Sequence, residues 1–444
     1  MSFVNGYMRV VRRILPSPLS IAVLLTFFTA ILALVFTAPP AGKNPVVSII
    51  DNWHMGFWNF LEFTMQMMLM LVLGHTIALS STANKVIKNI TGLCKSNVQA
   101  AVFVTFFALA AGYVNWGLGL IFGAILARKV GEHAKEKGIE LNYPLVAACG
   151  YTSLMVWHGG FSGSAPLTVN TASHSLINTI GIIPISDTIL STSNLVAIAA
   201  TLIILPLFAL LLAKRPYKKS YPKSIRTNLD KNMSVVGAER LDHSKIFGLT
   251  FGLIFIAYWV YLWKSNGFSL NFLTLNTINF ILFGCAIAAH GSLFKFMNAA
   301  SKAILGSTGI MIQFPLYAGI MGIMNYSGLL AVFADFFIDI SNHDTFPFFA
   351  YLSSAIVNVL VPSGGGQWQV QGPILMEAAS SMNVSYPKTI MALVYGDQLT
   401  NMLQPFWALP LLGITGLKAK DILPYSILFM LVGGTIFLSI LYLF

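Results

Sequence analysis

The segment VPSGGGQWQVQGP, residues 361–373, interrupts an otherwise apolar stretch of the chain. Its three consecutive glycines, two prolines and three glutamines disfavour a continuous helix, yet long apolar runs lie on either side. Lipid tolerates broken backbone only where protein buries it or where it lines a watery cavity. We therefore expect this segment to lie where a membrane protein handles a solute.

Composition supports a membrane protein and excludes a soluble one. Of 444 residues, 56% are hydrophobic and 9% are charged, against about 25% charged in soluble domains. The net charge of +11 does not indicate a nucleic-acid partner, because Lys and Arg cluster in short loops between apolar runs, as in proteins of the bilayer. Cys94, Cys149 and Cys285 have no metal-ligand spacing, so we expect no metal and no cofactor.

The distribution of basic residues predicts the topology. Arg9, Arg12 and Arg13 precede the apolar run 21–38, which we interpret as a retained first helix with a cytoplasmic N-terminus. Alternating crossings then place the C-terminus on the extracytoplasmic side. Residues 214–245 hold nine Lys or Arg against three acids, which predicts a cytoplasmic linker.

Two apolar segments are too short for two crossings of roughly 20 residues each. Segment 98–127 has basic residues at both ends and a glycine-rich break at 112–119, which favours a re-entrant hairpin from the cytoplasm. Segment 346–378 contains the triple glycine and follows the acidic segment 328–344, so we expect its hairpin to enter from outside.

The two hairpins belong to a predicted internal repeat. Val114-Asn115 and Tyr143-Pro144 recur as Val357-Asn358 and Tyr386-Pro387 at the same offset. The basic segment 85–97 falls on the acidic segment 328–340, as an inverted second half would require. Inverted repeats with broken helices are typical of secondary transporters.

The predicted fold is an all-α polytopic membrane protein, an inverted-repeat secondary transporter. It has about nine full spans plus two opposed re-entrant helical hairpins and broken helices. The predicted divisions are a first repeat over 1–213, the linker 214–245, a connecting helix within 246–274 and an inverted second repeat over 275–444.

The breaks supply candidate binding groups. A helix that begins within the membrane offers unpaired N–H groups and a positive dipole end to a carboxylate. Neutral side chains that could add hydrogen bonds are Ser162, Ser164, Thr168, Ser363, Gln367, Gln371, Thr400, Asn401 and Gln404. Asp397 and His158, with Thr400 beside Asp397, are candidates for coupling to H⁺ or Na⁺, because intramembrane acids are costly.

The predicted spans and hairpins contain no Lys or Arg, which favours a cargo with one negative charge. Trp116, Phe161, Trp368, Phe406 and Trp407 would accept a short apolar tail. A small monocarboxylate fits both properties. A packing or interfacial role for Trp368 and Trp407 stays open.

Three motifs resemble the bacterial short-chain fatty acid transporters of the acetoacetate/butyrate uptake type, within the larger ion-transporter superfamily. They are NWGLGLIFGAILAR (115–128), VPSGGGQWQVQGP (361–373) and GDQLTNMLQPFWALPLLGI (396–414). The resemblance implies inner-membrane uptake of C4–C6 fatty acids, an elevator-type scaffold and a homodimer. It also implies that the hairpin tips help to form the site, here Asn115 and Ser363, Gly364, Gly365 and Gly366. The Ser-Asn-Thr tips of the related sodium symporters are absent, which favours H⁺ over Na⁺.

The sequence therefore predicts cation-coupled uptake of a small carboxylate by alternating access. Three alternatives remain. A di- or tricarboxylate symporter or exchanger is disfavoured by the missing intramembrane Lys and Arg. An intramembrane enzyme would need a nucleophile–base pair such as Ser162 with His158, without a GxSxG elbow. A channel is disfavoured by two opposed hairpins.

Overall fold

The computed structural model describes residues 18–40, 42–222, 237–360 and 363–444. Within these ranges the protein contains α-helices and short 3₁₀ turns and no strand. The N-terminal arginines, residues 223–236 of the basic linker, and Val361 and Pro362 lie outside the described residues.

The helices before the linker are numbered in chain order. They are α1 (Pro18–Phe36), α2 (Pro45–Phe57), α3 (Leu61–Ala78), α4 (Ser81–Leu93), α5 (Asn97–Val114), α6 (Trp116–Lys137), α7 (Tyr143–Tyr151), α8 (Ser164–Val169), α9 (Ile177–Ile180) and α10 (Thr192–Ala213).

The helices after the linker complete the fold. They are α11 (Glu239–His243), α12 (Lys245–Ser265), α13 (Leu275–His290), α14 (Leu293–Ala303), α15 (Thr308–Ser327), α16 (Leu329–Ile340), α17 (Phe346–Leu360), α18 (Gly364–Ser381), α19 (Tyr386–Thr400), α20 (Pro405–Thr415) and α21 (Ala419–Leu443).

The all-helical expectation is confirmed, and several helices are long and apolar enough to cross a membrane. By length and composition, six described segments qualify: Leu61–Ala78, Asn97–Val114, Thr192–Ala213, Lys245–Ser265, Leu293–Ser327 and Ala419–Leu443. Three shorter apolar helices accompany them. The number of full crossings and the orientation of the termini stay predictions.

Elements follow the same order in two parts of the chain. An amphipathic helix, two hairpin arms and a broken helix occur as α4 to α7 and again as α16 to α19. The broken helices begin alike: Asn142 or Ser385 caps the first turn, and a Tyr-Pro pair follows. This order is the one a repeat requires, although inversion of the second half stays a prediction.

The hairpin helices differ in length from the sequence expectation. The first hairpin runs over α5 and α6, and α6 continues to Lys137 rather than ending near residue 127. At 1.5 Å per residue, the 18-residue α5 is roughly 27 Å long, so its length alone would allow a crossing. How deeply this hairpin enters the membrane therefore stays a prediction.

The triple glycine also differs from expectation. It was expected as part of a helix-breaking tip, but α18 begins at Gly364 and includes all three glycines and Pro373. Ser363 caps this helix by accepting a hydrogen bond from the Gly366 N–H at 3.2 Å. Neighbouring groups approach these glycines more closely than a side chain would allow, which explains why the positions are occupied by glycine.

The broken helices of the two parts meet in the protein interior. After α7 a 3₁₀ turn (Thr152–Met155) leads into a non-helical stretch, and after α19 a 3₁₀ turn (Asn401–Leu403) precedes α20. The Tyr151 hydroxyl lies 2.8 Å from the carbonyl oxygen of Asn401 and 3.0 Å from that of Gln404. These contacts bring the sequence-predicted breaks into one buried region.

Candidate functional site

Three aromatic contacts explain the glycines at the start of α18. An ideal Cβ on Gly364 would lie 2.6 Å from Cη2 of Trp157, 2.8 Å from Cε1 of His158 and 2.9 Å from Oδ2 of Asp397. A Cβ on Gly365 would lie 2.6 Å from the Phe63 ring. A Cβ on Gly366 would lie 2.7 Å from the Tyr317 ring. The glycines therefore let a helix N-terminus reach groups that any side chain would displace.

A small cavity of about 20 Å³ adjoins this helix start. Such a volume holds about one water molecule. Its lining is mainly apolar, and consists of Met67, Trp116, Leu154, Trp157, Ile310, Phe314, Ser363, Gly364, Gly365, Asn401 and Trp407. We call it the inner cavity.

N–H groups without partners are the chemically informative feature of the residues that line the inner cavity. The N–H groups of Gly364 and Gly365 make no hydrogen bond to any described residue, as is usual for the first turn of a helix. The indole N–H groups of Trp116 and Trp157 also lack a partner among described residues, although both side chains are more than nine-tenths buried. Buried donors without partners are costly, so this set suits an anionic acceptor.

His158 and Asp397 form a buried pair beside the inner cavity. His158 Nδ1 lies 2.6 Å from Asp397 Oδ2, and both side chains are fully buried. His158 Nε2 accepts the backbone N–H of Ala165 at 3.2 Å and lies 3.0 Å from Ser164 Oγ. A backbone N–H can only donate, so Nε2 carries no proton and Nδ1–H donates to the carboxylate.

With an ionised Asp397, this arrangement carries one net negative charge. The other carboxylate oxygen, Asp397 Oδ1, has no hydrogen-bond partner among described residues. A buried carboxylate without full compensation is energetically costly. Asp397 Oδ1 is therefore the atom where a proton or a small cation would stabilise the pair most.

Asn358 fixes the broken helix that follows Asp397. Its Nδ2 lies 2.6 Å from the Asp397 carbonyl oxygen, 2.9 Å from Thr400 Oγ1 and 3.0 Å from Asn401 Oδ1. Thr400 Oγ1 donates to the Ala355 carbonyl at 2.9 Å, and Gln404 Nε2 donates to the Asn358 carbonyl. These bonds attach the second hairpin to the break, so Thr400 and Gln404 have positioning contacts here.

Other predicted site residues hold the hairpins together. Gln367 Nε2 donates to the Ser354 carbonyl at 2.9 Å and to Gln371 Oε1 at 2.8 Å, and Gln371 donates to Ser353. Trp368 is buried against Gly372 and does not line the inner cavity. The side chain of Phe406 lies outside the described residues.

Asn115 and Ser162 cap the other hairpin tip. Asn115 Oδ1 accepts the Leu118 N–H at 2.8 Å, and its Nδ2 lies 3.3 Å from the Met70 carbonyl oxygen. Ser162 Oγ accepts the Trp116 N–H at 2.9 Å. These two side chains thus stabilise the start of α6 and place the Trp116 ring at the inner cavity.

Sequence reasoning missed Trp157 as a site residue, and treated Trp116 only as an apolar neighbour. Trp157 stacks on His158 with ring centroids 4.6 Å apart and an interplanar angle of 11°. Trp116 contacts Trp157 and Trp407 at centroid distances of 5.9 and 5.2 Å. The position of Trp157 directly before His158 at a break was the available signal.

A wider polar vestibule lies next to the inner cavity. Its volume is about 350 Å³, and Phe63 belongs to its lining. Phe63 stacks on Phe314, which lines the inner cavity, with centroids 5.7 Å apart and planes 16° apart. The two phenyl rings therefore separate the vestibule from the inner cavity.

Comparison with known proteins decides the family. The family model described as "Short chain fatty acid transporter" matches residues 3–444. The chain belongs to the short-chain fatty acid transporter family. It is a multi-pass inner-membrane protein, as the apolar helices and this family together imply.

Two curated relatives cover almost the full chain. Each is named "Putative short-chain fatty acid transporter". The relative from Escherichia coli K12 is 38% identical over 442 residues, which is 98% of both chains. The relative from Haemophilus influenzae Rd is 38% identical over 447 residues, which is 97% of both. The family resemblance inferred from the three sequence motifs is thus confirmed.

One solved structure has a related fold. The crystal structure of the Alcanivorax borkumensis YdaH transporter, described as having an unusual topology, aligns with a TM-score of 0.50. It covers 95% of this chain and 97% of its own, at 14% identity. At that identity the likeness concerns the fold alone.

Proposed function

We propose that this transporter takes up short-chain fatty acid monoanions of the C4–C6 class, such as butyrate or acetoacetate, together with one H⁺ by alternating access. The observation that carries the proposal is a set of N–H groups without partners among described residues, those of Gly364 and Gly365 and the indoles of Trp116 and Trp157, on residues that line the inner cavity beside the buried His158–Asp397 pair. Each part of the site has a distinct task.

The carboxylate would bind at the N–H groups of Gly364 and Gly365. The positive end of the α18 dipole favours a negative charge there, and the indole donors of Trp116 and Trp157 add hydrogen bonds. The described lining of the inner cavity contains no Lys or Arg. The site therefore suits one negative charge and disfavours a di- or tricarboxylate.

The alkyl tail would lie against the apolar part of the lining. Met67, Ile310 and Trp407 are apolar members of that lining. Each buried methylene contributes about 0.8 kcal/mol, so a short chain gains affinity from a few such contacts.

The substrate carboxylate would lie close to the Asp397 carboxylate, and this proximity would couple substrate binding to protonation. Gly364 lies within van der Waals reach of Asp397, so a substrate carboxylate at its N–H would sit close to the Asp397 carboxylate. Two ionised carboxylates that share a buried site repel each other, and one of them gains a proton. Binding of the anion and protonation of Asp397 Oδ1 would therefore favour each other.

The inner cavity requires a conformational change before it can admit substrate. Its volume of about 20 Å³ is far below that of butyrate, whereas the vestibule measures about 350 Å³. Separation of Phe63 from Phe314 would join the two spaces. We propose that the vestibule opens to the outside, because its lining includes the helix ends near residues 59–66, 274–276 and 318–325, which the predicted topology puts on that side.

Uptake into proteoliposomes tests the proposal. We expect an inward H⁺ gradient, and not a Na⁺ gradient, to drive accumulation of labelled butyrate and acetoacetate but not of succinate. Asp397→Asn should abolish accumulation but retain butyrate exchange, because the amide mimics the neutral acid. Asp51→Asn, at an exposed acid paired with Lys43, is the control. Transport of succinate without butyrate, or Na⁺-driven uptake, would contradict the proposal.

A second candidate arises from one geometric observation. Ser164, His158 and Asp397 are arranged as in a Ser-His-Asp hydrolase triad. However, Ser164 is fully buried and lines neither the vestibule nor the inner cavity, and the Ala165 N–H already occupies Nε2. A substrate ester would have no access to the hydroxyl, so the arrangement favours proton handling over hydrolysis.

A further inference from the structure

Another cavity lies where two corners of the helical fold meet, one between α3 and α4 and the other between α13 and α14. Its volume is about 390 Å³, and it shares no lining residue with the vestibule or the inner cavity. Its lining consists of Leu79, Ser81, Asn84, His290, Lys295, Asn298, Ala299 and Lys302. We call it the basic cleft, because this lining contains two lysines and no acid.

Helix α14 supplies half of this lining from a single face. Four of its residues are spaced i, i+3, i+4 and i+7 and so form one stripe along the helix: Lys295, Asn298, Ala299 and Lys302. Ala299 is buried, whereas the two lysines are exposed. A small methyl side chain between two long cationic ones leaves room for a ligand that both ammonium groups can reach.

His290 joins the two corners. Its Nε2 lies 2.8 Å from the carbonyl oxygen of Thr76 in α3. A carbonyl can only accept, so Nε2 carries the proton and donates it to this bond. The end of α13 is thereby held against the end of α3, and the basic cleft has a packed base.

The positive charge of the basic cleft is not compensated by the helices that form it. Helices α4, α13 and α14 contain no Asp or Glu, and the single acid of α3, Glu62, lies at the opposite end of that helix. Neither Lys295 nor Lys302 forms an ion pair with a described residue. Two lysines beside one cavity without a carboxylate suit an anionic ligand.

One further element packs against α14 and brings acids into the neighbourhood. The ring of His243 at the end of α11 stacks on Phe294 at the start of α14, with centroids 4.0 Å apart. Glu239 and Asp242 belong to α11, but neither lines the basic cleft. The cleft itself therefore keeps its positive charge.

Exposed apolar side chains flank the lysine stripe. They are Phe294 and Met297 on α14, and Ile304 and Leu305 directly after it. A helix with lysines on one face and exposed apolar side chains on another lies at the boundary between headgroups and acyl chains. The predicted topology puts both corners on the cytoplasmic side, where anionic lipids attract basic segments. The basic cleft thus opens at the level of the lipid headgroups.

We propose that the basic cleft binds the phosphate of an anionic phospholipid headgroup. The ammonium groups of Lys295 and Lys302 bind the phosphate oxygens, and the acyl chains extend along the exposed apolar side chains beside α14. Neutral hydrogen bonds to the rest of the headgroup come from Ser81, Asn84 and Asn298. A free phosphate ion would satisfy the same lysines but would leave the apolar surround without a partner. Binding here is independent of the cargo and of the coupling ion.

The positive-inside pattern by itself accounts for lysines at a cytoplasmic face without any bound ligand. Lys85 and Lys88 on α4 fit that simpler explanation, since both are exposed and neither lines the basic cleft. They lie on a helix that forms the same cavity and carry the same charge. They therefore provide a matched control for the two lysines of α14.

Lipid titration of the purified full-length protein tests the site. Wild type, the double variant Lys295→Gln/Lys302→Gln and the control Lys85→Gln/Lys88→Gln are held in neutral detergent. Phosphatidylglycerol, or phosphatidylcholine with the same acyl chains, is then added. A ligand that binds only the folded protein raises its melting temperature, so thermal melts report binding, and native mass spectrometry counts the bound lipids. A third arm replaces the lipid with sodium phosphate at constant ionic strength.

We expect phosphatidylglycerol, and neither phosphatidylcholine nor sodium phosphate, to stabilise wild type and the α4 control. A basic residue contributes about fivefold to binding of an anionic lipid, so the half-saturating phosphatidylglycerol concentration should rise roughly thirtyfold in the α14 double variant. Lys295→Arg/Lys302→Arg keeps both charges and should bind like wild type. Should the double glutamine variant fail to fold, the single variants Lys295→Gln and Lys302→Gln decide, each with about a fivefold rise.

Three results would overturn the site. The first is an equal response to phosphatidylglycerol in wild type and the α14 variants. The second is an equal loss in the α4 control, which would indicate a diffuse surface charge instead of a cleft. The third is stabilisation by sodium phosphate as strong as that by the lipid, which would make the ligand a soluble anion.

Discussion

The starts of α6 and α18, at the tips of the two hairpins, differ in the groups that accept their first N–H groups. At α6, Asn115 and Ser162 accept N–H groups of the first turn. Asn115 packs closely against Gly74, because a Cβ on that glycine would collide with Asn115 Oδ1. At α18, Ser363 accepts only the Gly366 N–H, and Gly364 and Gly365 face the inner cavity. The first N–H groups of α6 are bonded within the protein, whereas those of Gly364 and Gly365 have no partner among described residues.

Sequence correspondence between the two parts therefore does not imply equal chemistry at the two tips. Both tips approach the same buried region, because Trp116 from α6 and Gly364 from α18 line one cavity. The tip at α6 contributes an aromatic ring and an indole donor held by a rigid cap. The tip at α18 contributes backbone N–H groups and contact with the charged pair.

The largest expected effect follows from filling the space at the α18 tip. Gly364→Ala would place a methyl group within 2.9 Å of Asp397 Oδ2 and against the Trp157 and His158 rings. Overpacking a buried site costs about 1–3 kcal/mol, so butyrate uptake should fall roughly 5- to 150-fold. The measurement is the initial rate of gradient-driven uptake in proteoliposomes.

The control for this variant is Gly413→Ala. Gly413 lies in α20, and a Cβ there meets no atom within 4 Å. It should keep wild-type uptake. A thermal melt of both purified variants separates lost transport from lost folding, and a folded Gly364→Ala protein with normal uptake would show that the tip is not the binding site.

The second effect concerns the indole donors that serve the α18 tip. Trp116→Phe and Trp157→Phe keep an aromatic ring but remove an N–H that has no partner among described residues. A hydrogen bond to a charged group contributes about 1.5–3 kcal/mol, so KM for butyrate should rise roughly tenfold or more in each variant. Trp259→Phe is the control, since its indole N–H is also partnerless but lies outside the inner cavity. An unchanged KM in both cavity variants would contradict the carboxylate position.

The third effect concerns chain length. Trp407 lines the inner cavity and meets Trp116 edge-on. Trp407→Leu would enlarge the space for the tail, and each methylene that becomes buried adds about 0.8 kcal/mol, or roughly fourfold. The ratio of hexanoate to butyrate uptake should rise accordingly. A ratio that stays constant would place the tail elsewhere.

The sequence predicted those features of the two tips that depend on local properties of the chain, and not those that depend on contacts between distant residues. Apolar length and charge placement predicted the helices and both breaks, because those properties are local. The pairing of His158 with Asp397 joins residues far apart in the chain, so the sequence identified both residues as coupling candidates but could not place them 2.6 Å apart. Ser162 was predicted to contact substrate, and its hydrogen bond to the Trp116 N–H depends on how the break folds against the tip.

The triple glycine shows the limit most clearly. Propensity correctly marks three glycines as poor helix formers, yet they are helical at α18. Glycine is required at these positions despite its low helix propensity, because Trp157, Phe63 and Tyr317 each occupy the space where a side chain would lie. Which ring would face which glycine is a property of the packed protein alone.

The smallest expected effect concerns the hydrogen bond of Ser162 at the start of α6. Ser162→Ala removes the acceptor of the Trp116 N–H, and loss of such a cap costs about 0.5–2 kcal/mol of stability. The melting temperature should therefore fall, while KM for butyrate and the dependence of uptake on the H⁺ gradient stay as in wild type. Ser162→Thr, which restores a hydroxyl, should recover part of the lost stability. A rise in KM as large as that expected for Trp157→Phe would instead make the α6 tip a substrate contact, and the two hairpin tips would then share the carboxylate between them.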